Sequence, residues 1–137
     1  MSMVESKAWD NSHFLVSPSH TGIAIISVDD INGVPINSKF TKKLTFPEYS
    51  STYPHLSHTL GFGGRPGGPN FYINLVDNSE VHGPGGQTKH SLVEEADSCF
   101  AKFVHGADVI DKMNQGIRDN NFHCKVESIR YLKMQYK

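Results

Sequence analysis

Cysteine is scarce in this chain, and that scarcity excludes two kinds of small-protein scaffold. Only Cys99 and Cys124 occur among the 137 residues, so neither a dense disulfide framework nor a four-cysteine zinc site can form. A single bridge between them stays open if the strands that carry them are neighbours with Cα atoms closer than about 7 Å; otherwise we expect two free thiols.

An excess of charge of one sign is also lacking. The chain has 13 Lys and Arg residues against 14 Asp and Glu residues, a formal net charge of −1. A protein that holds a nucleic-acid backbone or an anionic membrane surface needs an excess of basic residues. The composition therefore predicts no nucleic-acid partner and no membrane partner for this chain.

Long apolar runs and secretory signals are missing as well. The first twenty residues contain Lys7, Trp9, Asp10 and His13 and no apolar stretch, unlike a signal peptide. No segment approaches the roughly 18 apolar residues that cross a bilayer, and no Asn-x-Ser/Thr sequon occurs. The sequence predicts a soluble chain compatible with the cytoplasm, although a domain cut from a longer protein would have the same features.

Glycine and proline, in contrast, are plentiful. There are 12 Gly and 7 Pro residues, and both residue types favour turns over regular elements. Hydrophobic residues make up 37%, so we expect a modest core and many loops. The length is typical of one domain, which we assign to residues 13–137 after an N-terminal segment at 1–12.

Several short runs have the composition of β-strands. They are His13–Val16, Ile23–Val28, Phe71–Val76, Cys99–Val104 and Val126–Tyr131. In the third run a period of two places Phe71, Ile73 and Leu75 on one face and the phenol of Tyr72 and the amide of Asn74 on the other. Asn32-Gly33 favours a tight turn. The pattern predicts an all-β fold of four to six strands in a closed or nearly closed sheet.

One helix is predicted, near residues 107–115. Val109, Ile110 and Met113 have helical spacing, and Gly116 is placed to end the helix. The glycine-rich stretch from Gly61 to Pro69 is not a phosphate-binding loop, since it leads into a strand instead of a helix N-terminus.

Two motifs together resemble the cyclophilin family. The first is Gly67-Gly68-Pro69-Asn70-Phe71-Tyr72-Ile73-Asn74, a glycine-rich loop before an aromatic strand. The second runs from Cys99 to Met113 and contains Phe100-Ala101-Lys102-Phe103-Val104 before Gly106-Ala107-Asp108-Val109-Ile110. Cyclophilins have a G-S-Q-F-F-I strand, a V-F-G-K-V strand and a G-x-x-V-V-x-x-M helix in this order. The similarity extends over residues 60–131.

The resemblance implies a cyclophilin-like antiparallel β-barrel with one short helix near 107–115. It also implies an outer groove that binds proline-containing peptides and isomerises the X-Pro bond, without a cofactor or a metal. Amide resonance sets a barrier of about 18–20 kcal/mol to that rotation, and cyclophilins lower it with a proline pocket and an arginine that favour the twisted amide. Few residues precede the matched segment, so we expect a divergent, N-terminally short barrel that is incomplete or completed by other parts of the chain.

Several positions match the peptide groove of that family. Tyr72 matches the aromatic floor of the proline pocket, and Asn70 matches an amide that contacts the peptide backbone. Gly61 and Phe62 fall where an Ala-Asn pair presents its backbone, and Asp97 falls near the pocket histidine. The predicted peptide-binding residues are Gly61, Phe62, Arg65, Asn70, Tyr72, His20 and Asp97.

The catalytic arginine of the family is not matched. The segment F-H-R-[VI]-I-P aligns best with His13–Pro18, which places Leu15 at the arginine position, and His20 then falls near the aromatic that follows. Arg65 is the candidate substitute, since its guanidinium offers five donors in a fixed fork; the alternative is a surface loop charge. We therefore predict isomerase activity that is weak or lost.

Alternatives stay open on the sequence alone. A non-catalytic module that holds proline-containing or extended peptides fits the same motifs, and an unrelated small-ligand-binding β-barrel fits the loop His82-Gly83-Pro84-Gly85-Gly86. His55 and His58 have an H-x-x-H spacing, but they lie in a proline-broken loop without a further ligand at diagnostic spacing. We predict no metal site.

Overall fold

The structure, a computed structural model, describes residues 7–16, 22–26, 49–63, 68–86, 96–120 and 124–130 of the chain. The strands in these ranges are β1 (Ser12–Val16), β2 (Ile23–Ile26), β3 (Thr59–Phe62), β4 (Phe71–Asn74), β5 (Cys99–Lys102) and β6 (Cys124–Val126). The helices are α1 (Ser79–His82) and α2 (Ala107–Asn120).

The strands form one antiparallel sheet in the order β5-β3-β4-β2-β1-β6. The prediction of a strand-rich, antiparallel fold is confirmed. β5 and β6 stand at the two ends of this order, and no ladder joins them among the described residues. The described strands thus form an open sheet, and the closure of a barrel is not seen in them.

The core lies on one face of this sheet. Phe71 on β4 lies opposite Ile26 on β2 and Phe62 on β3, and directly opposed residues share a face. The buried members of the core are Ala8, Trp9, Ala24, Ile26, Phe71, Ile73 and Leu75. The predicted alternation of Phe71, Ile73 and Leu75 toward the core is confirmed.

Trp9 anchors the chain before β1 to this core. Its ring meets that of Phe71 edge to face at 5.1 Å between centroids, and its Nε1 donates a hydrogen bond to the carbonyl of Pro69 at 3.2 Å. Ala8 and Trp9, which we assigned to the N-terminal segment, are therefore core residues. Because Trp9 is the single tryptophan of the chain, its fluorescence reports on the core.

The helix α2 is longer than predicted. It begins at Ala107 as expected but continues through Gly116 to Asn120, so the prediction that Gly116 ends it is wrong. A glycine inside a helix costs only about 1 kcal/mol relative to alanine, and α2 is held to the core through Ile110. None of the described helices combines the length and apolar character that crossing a membrane requires.

The strand ends also differ from the predictions. The runs 71–76 and 99–104 contribute strands only to Asn74 and Lys102. Of the described part of the run 126–131, only Val126 belongs to a strand, β6, and residues 127–130 do not. Beyond β6, the backbone N–H of Ile129 donates to Oδ1 of Asp10 at 3.1 Å. A side-chain carboxylate thus accepts the hydrogen bond that a neighbouring strand would accept in a sheet. The predicted turn at Asn32-Gly33 lies outside the described residues.

Asp77 stabilises the start of α1. Its Oδ1 accepts hydrogen bonds from the hydroxyl of Ser79 at 2.6 Å and from the Ser79 backbone N–H at 2.9 Å. The hydrogen bond from the Ser79 hydroxyl, which is the larger cause, and the one from the Ser79 backbone lower the pKa of Asp77 below its ordinary value of 3.8. The stabilisation from this carboxylate is therefore fully present at pH values above the ordinary pKa of 3.8, and it is lost as the pH falls through the lowered pKa.

We predict that Ser79→Ala raises the pKa of Asp77 toward its ordinary value, because the largest cause of the lowering is removed. A carbon-13 NMR titration of the Asp77 carboxyl group measures this directly. An unchanged pKa in the variant would contradict the assigned hydrogen bond. In Asp77→Asn, the acid-dependent part of stability contributed by this residue should disappear.

Candidate functional site

Five buried polar side chains meet on the face of the sheet opposite the core. We name them the Tyr72 cluster; they are His55, Tyr72, Asn74, His82 and Asp97. β4 supplies two of them, α1 supplies the second histidine, and the segments before β3 and β5 supply the others. Each residue is at most 7% exposed, so its polar atoms need partners within the protein.

Asp97 holds the cluster together. Its Oδ2 accepts hydrogen bonds from Nδ1 of His82 at 2.5 Å and from the hydroxyl of Tyr72 at 3.3 Å. Its backbone N–H donates to the carbonyl of His82 at 2.9 Å, and its own carbonyl accepts from Nε2 of His55 at 2.9 Å. This one residue thereby positions three aromatic rings.

The tautomer of His55 follows from its partners. A carbonyl oxygen only accepts, so Nε2, which faces the Asp97 carbonyl, carries the proton. Nδ1 lies 3.3 Å from the amide nitrogen of Asn74 and 3.4 Å from the hydroxyl of Tyr72. Because an amide nitrogen only donates, Nδ1 is the acceptor. The arrangement therefore fits the neutral imidazole with its proton on Nε2.

Asn74 extends the network toward neighbouring strands. Its Nδ2 donates to the hydroxyl oxygen of Thr59 on β3 at 3.0 Å, and its Oδ1 accepts from Nδ2 of Asn78 at 3.0 Å. Asn78 also donates to the carbonyl of Gly22, just before β2, at 3.0 Å. The amide groups thus tie β2, β3 and the start of α1 to the cluster.

Close packing around Tyr72 explains the glycine at position 61. The Tyr72 ring stacks on the imidazole of His82 with 4.6 Å between centroids. A Cβ atom at Gly61 would lie 2.5 Å from the Tyr72 hydroxyl oxygen and 2.8 Å from Cε1 of His55. Two rings therefore occupy the space that a side chain at Gly61 would fill.

The orientation of Tyr72 differs from the one that the resemblance implied. A proline-pocket floor needs an exposed ring face, whereas the Tyr72 residue is 2% exposed and its ring lies against His82 inside the molecule. A histidine, a carboxyl group and a phenol together are suited to proton transfer, but an acid or base must come within hydrogen-bond reach of its substrate. Here they bind one another, and a satisfied buried network of this kind rigidifies the fold.

The strand register nevertheless brings together positions that were matched separately. Gly61 lies opposite Tyr72, Tyr72 opposite Ile25, and Ile25 opposite Leu15. We name these four positions, on β3, β4, β2 and β1, the Leu15–Gly61 row. Asp97, another matched position, contacts Tyr72, the β4 member of the row.

Other predicted residues lie elsewhere. Phe62 is on the core face, where its ring stacks on that of Phe100 at 4.2 Å. Asn70 precedes β4 and is partly exposed. Its backbone carbonyl accepts a hydrogen bond from the backbone N–H of Gly63 at 3.0 Å. His20 and Arg65 lie outside the described residues, so their roles in peptide binding, and that of Arg65 in catalysis, stay predictions.

His55 and His82 were missed as members of a site. The H-x-x-H spacing had pointed to His55 together with His58, but these two separate: His55 is fully buried, while His58 faces Asp111 at 3.3 Å near the surface. No group of three metal-ligating side chains occurs in the part of the chain that the structure describes. Cys99 has a free thiol.

A groove opens on the surface where β3 begins and β5 ends. It has a volume of about 470 Å³ and is lined by residues 56–59 and 102–108; we name it the β3/β5 groove. His58 lines it in a left-handed backbone conformation, with φ of 65°, which non-glycine residues seldom adopt. Its N–H donates to the Asn74 carbonyl at 2.7 Å and its carbonyl accepts from the Phe103 N–H at 3.0 Å. These bonds hold the strained residue in place.

No protein-family model matches the sequence, and no curated protein matches it significantly.

Proposed function

We propose that this chain is a cyclophilin-like domain that binds proline-containing peptides and whose prolyl isomerase activity is weak or lost. The Leu15–Gly61 row supports this most strongly. Leu15, Gly61 and Tyr72 were matched to the family's arginine, backbone-presenting alanine and pocket aromatic from three separate stretches of sequence. They occupy one row of the sheet, with Ile25 on β2 between Tyr72 and Leu15, which positions matched by chance have no reason to do.

The order of elements gives further support. β4, β5 and α2 follow one another as the aromatic strand, the second strand and the helix do in the resemblance, and α2 begins at Ala107, where the helix was expected. We propose that the six-stranded sheet is part of a divergent, incomplete barrel of the cyclophilin type, with β5 and β6 at the ends of its described portion.

The composition of the row explains the loss of activity. Isomerisation needs a donor that favours the twisted amide, and loss of one such donor typically lowers a rate by about 10²- to 10³-fold. Leu15 and Ile25 are aliphatic, and the Tyr72 hydroxyl donates its proton to the carboxylate of Asp97. The row itself therefore contributes no guanidinium to a bound peptide.

We predict that the protein leaves the cis-to-trans rate of an Ala-Ala-Pro-Phe peptide within about twofold of the uncatalysed reaction, which takes on the order of tens to hundreds of seconds at 25 °C. A protease-coupled assay measures this rate for the wild type and for Arg65→Ala. Arg130→Ala, which removes another arginine that is exposed, is the matched control.

The variants separate the outcomes. If the wild type accelerates the reaction strongly and Arg65→Ala alone abolishes the acceleration, Arg65 replaces the missing guanidinium and the claim of lost activity is wrong. If the rate stays uncatalysed while the peptide binds, as a titration followed by NMR would show, the proposal is supported. Absence of binding would overturn the peptide-binding function itself.

A further inference from the structure

Three polar side chains at the β3/β5 groove form a chain of hydrogen bonds that the proposed function does not use. Oγ of Ser57 lies 3.3 Å from Nδ1 of His58, and Nε2 of His58 lies 3.3 Å from Oδ1 of Asp111. The serine and the histidine line the groove, and Asp111 meets the histidine from α2. A hydroxyl group, an imidazole within its reach and a third group that orients the imidazole are the arrangement that activates a serine as a nucleophile.

The partners of His58 assign roles to its two ring nitrogens. The carboxylate of Asp111 only accepts, so Nε2 carries a proton, and Nδ1 of the neutral imidazole is the acceptor. Oγ of Ser57 also lies 3.2 Å from the carbonyl oxygen of Leu75. Its single proton can turn from that oxygen to Nδ1 while Oγ stays in place. Nδ1 is therefore placed to take the proton of Ser57, and the Asp111 carboxylate faces the imidazolium that results.

The backbone of His58 explains how two neighbouring side chains meet. In an extended strand, successive side chains point to opposite faces, whereas His58 has a φ of 65°. The hydrogen bonds of its N–H to Asn74 and of its carbonyl to Phe103 hold this conformation. Strained residues that the surrounding structure holds in place cluster at functional sites.

The groove also contains the start of α2, since Gly106, Ala107 and Asp108 line it. The Gly106 carbonyl accepts hydrogen bonds from the N–H groups of Val109 and Ile110. The N–H groups of Ala107 and Asp108 come before these and have no acceptor within the helix. Such N–H groups stabilise an oxygen atom on which negative charge develops.

The rest of the lining favours an uncharged substrate. Among the described residues that line the groove, Lys102 and Asp108 carry opposite charges, which cancel. Leu56 is 46% exposed and Val104 is 84% exposed, and both line the groove together with Phe103. A concave surface with an apolar lining and a volume of about 470 Å³ suits a small organic molecule.

We propose that Ser57, His58 and Asp111 form a hydrolytic site in the β3/β5 groove that cleaves small uncharged esters. Oγ of Ser57 bonds to the ester carbonyl carbon while its proton passes to Nδ1 of His58. The electron pair of the C=O bond moves to its oxygen, which the first N–H groups of α2 stabilise.

The C=O bond re-forms as the bond to the alcohol oxygen breaks, and the alcohol leaves with the proton from Nδ1. Water then attacks the acyl-serine with the same proton transfers, which releases the acid and restores the hydroxyl group of Ser57. Asp111 is a positioning residue that acts through His58. This activity goes beyond the proposed peptide binding and uses no residue of the Leu15–Gly61 row.

A fluorophosphonate probe tests the wild type directly, because an activated serine displaces its fluoride and becomes phosphonylated. Mass spectrometry of the digested protein should place the phosphonate on Ser57. Protein denatured before incubation is the control and should stay unlabelled, since its three side chains no longer meet. An unlabelled Ser57 in the native protein would overturn the proposal.

Hydrolysis of p-nitrophenyl acetate measures turnover. Ser57→Ala and His58→Asn should each lower kcat/KM by about 10²-fold or more, the usual contribution of a positioned base. Asparagine is chosen because it tolerates the left-handed conformation at this position. Asp111→Asn should lower kcat and leave KM nearly unchanged, because Asp111 acts through His58 and not on the bound ester.

Ser51→Ala is the matched control, because Ser51 is an exposed serine of the same segment that does not line the groove. It should keep the wild-type kcat/KM, and circular dichroism checks that each variant folds. Loss of hydrolysis in Ser57→Ala and His58→Asn but not in Ser51→Ala supports the site. Hydrolysis by Ser57→Ala at the wild-type rate would overturn it.

Discussion

Replacing Asp97 by alanine is expected to lower the free energy of unfolding by about 3–5 kcal/mol. The variant leaves Nδ1 of His82 and the hydroxyl of Tyr72 without their common acceptor, in a region where Asp97 itself is 3% exposed. A buried polar group that loses its partner bears the full cost of its desolvation. Urea unfolding followed by Trp9 fluorescence and by circular dichroism measures the change.

Asp111→Ala is the matched control for this prediction. It also removes a carboxylate that faces a histidine, but the side chains of Asp111 and His58 are 58% and 33% exposed. Exposed pairs contribute about 0–1 kcal/mol, so this variant should unfold near the wild-type urea concentration. Equal losses in the two variants would contradict the burial of the His82–Asp97 pair.

Gly61→Ala is expected to destabilise the protein by about 1–3 kcal/mol, the usual cost of overpacking a tightly filled region. The added methyl group would meet the Tyr72 hydroxyl and the His55 ring at distances that real Cβ atoms essentially never show. Alanine is also the residue that the resemblance implies at this position, so a substitution toward the family pattern should be harmful here. Urea unfolding gives the stability, and the NMR signals of the Tyr72 ring show its displacement.

Gly63→Ala provides the comparison within the same segment. The nearest heavy atom to a Cβ atom at Gly63 is the carbonyl oxygen of Asn70 at 3.8 Å, an ordinary van der Waals contact. This variant should keep the wild-type signals of Tyr72. A Gly61→Ala protein with unchanged stability and unchanged Tyr72 signals would show that the ring does not lie against Gly61.

Elements that a local sequence pattern determines were predicted correctly from the sequence. The alternation of Phe71, Ile73 and Leu75 follows from the pleat of a strand and one apolar environment, so period two was sufficient. The start of α2 at Ala107 was likewise predictable from helical spacing. The end of α2 was not, because a glycine costs a helix interior only about 1 kcal/mol and so need not end the helix.

The strand β3 could not be predicted from its residues. Its segment, Thr59–Phe62, includes Gly61, which has low strand propensity and belongs to a stretch with the composition of a loop. The strand forms because it pairs with β4 on one side and β5 on the other. Glycine is needed at this position only because the rings of Tyr72 and His55 cross it, which is a tertiary constraint.

The candidate site was predictable only in part, because its packing also depends on contacts between distant parts of the chain. The resemblance placed Gly61, Tyr72 and Asp97 in one site, and the structure brings them together. The sequence contained no signal that His55 and His82 would pack against Tyr72. These histidines come from a proline-broken segment and from a four-residue helix, and neither has a periodic pattern. Their contribution turns an expected open pocket into a buried network.

Two-dimensional NMR exchange spectroscopy of an Ala-Ala-Pro-Phe peptide tests the central claim most directly, since one experiment shows both binding and turnover. We predict that the protein shifts the peptide resonances while no exchange cross-peaks join the cis and trans prolyl signals, as expected when the peptide is bound but its proline bond rotates only at the uncatalysed rate. Strong cross-peaks at a small fraction of protein over peptide would contradict the loss of isomerase activity, and unshifted resonances would contradict peptide binding.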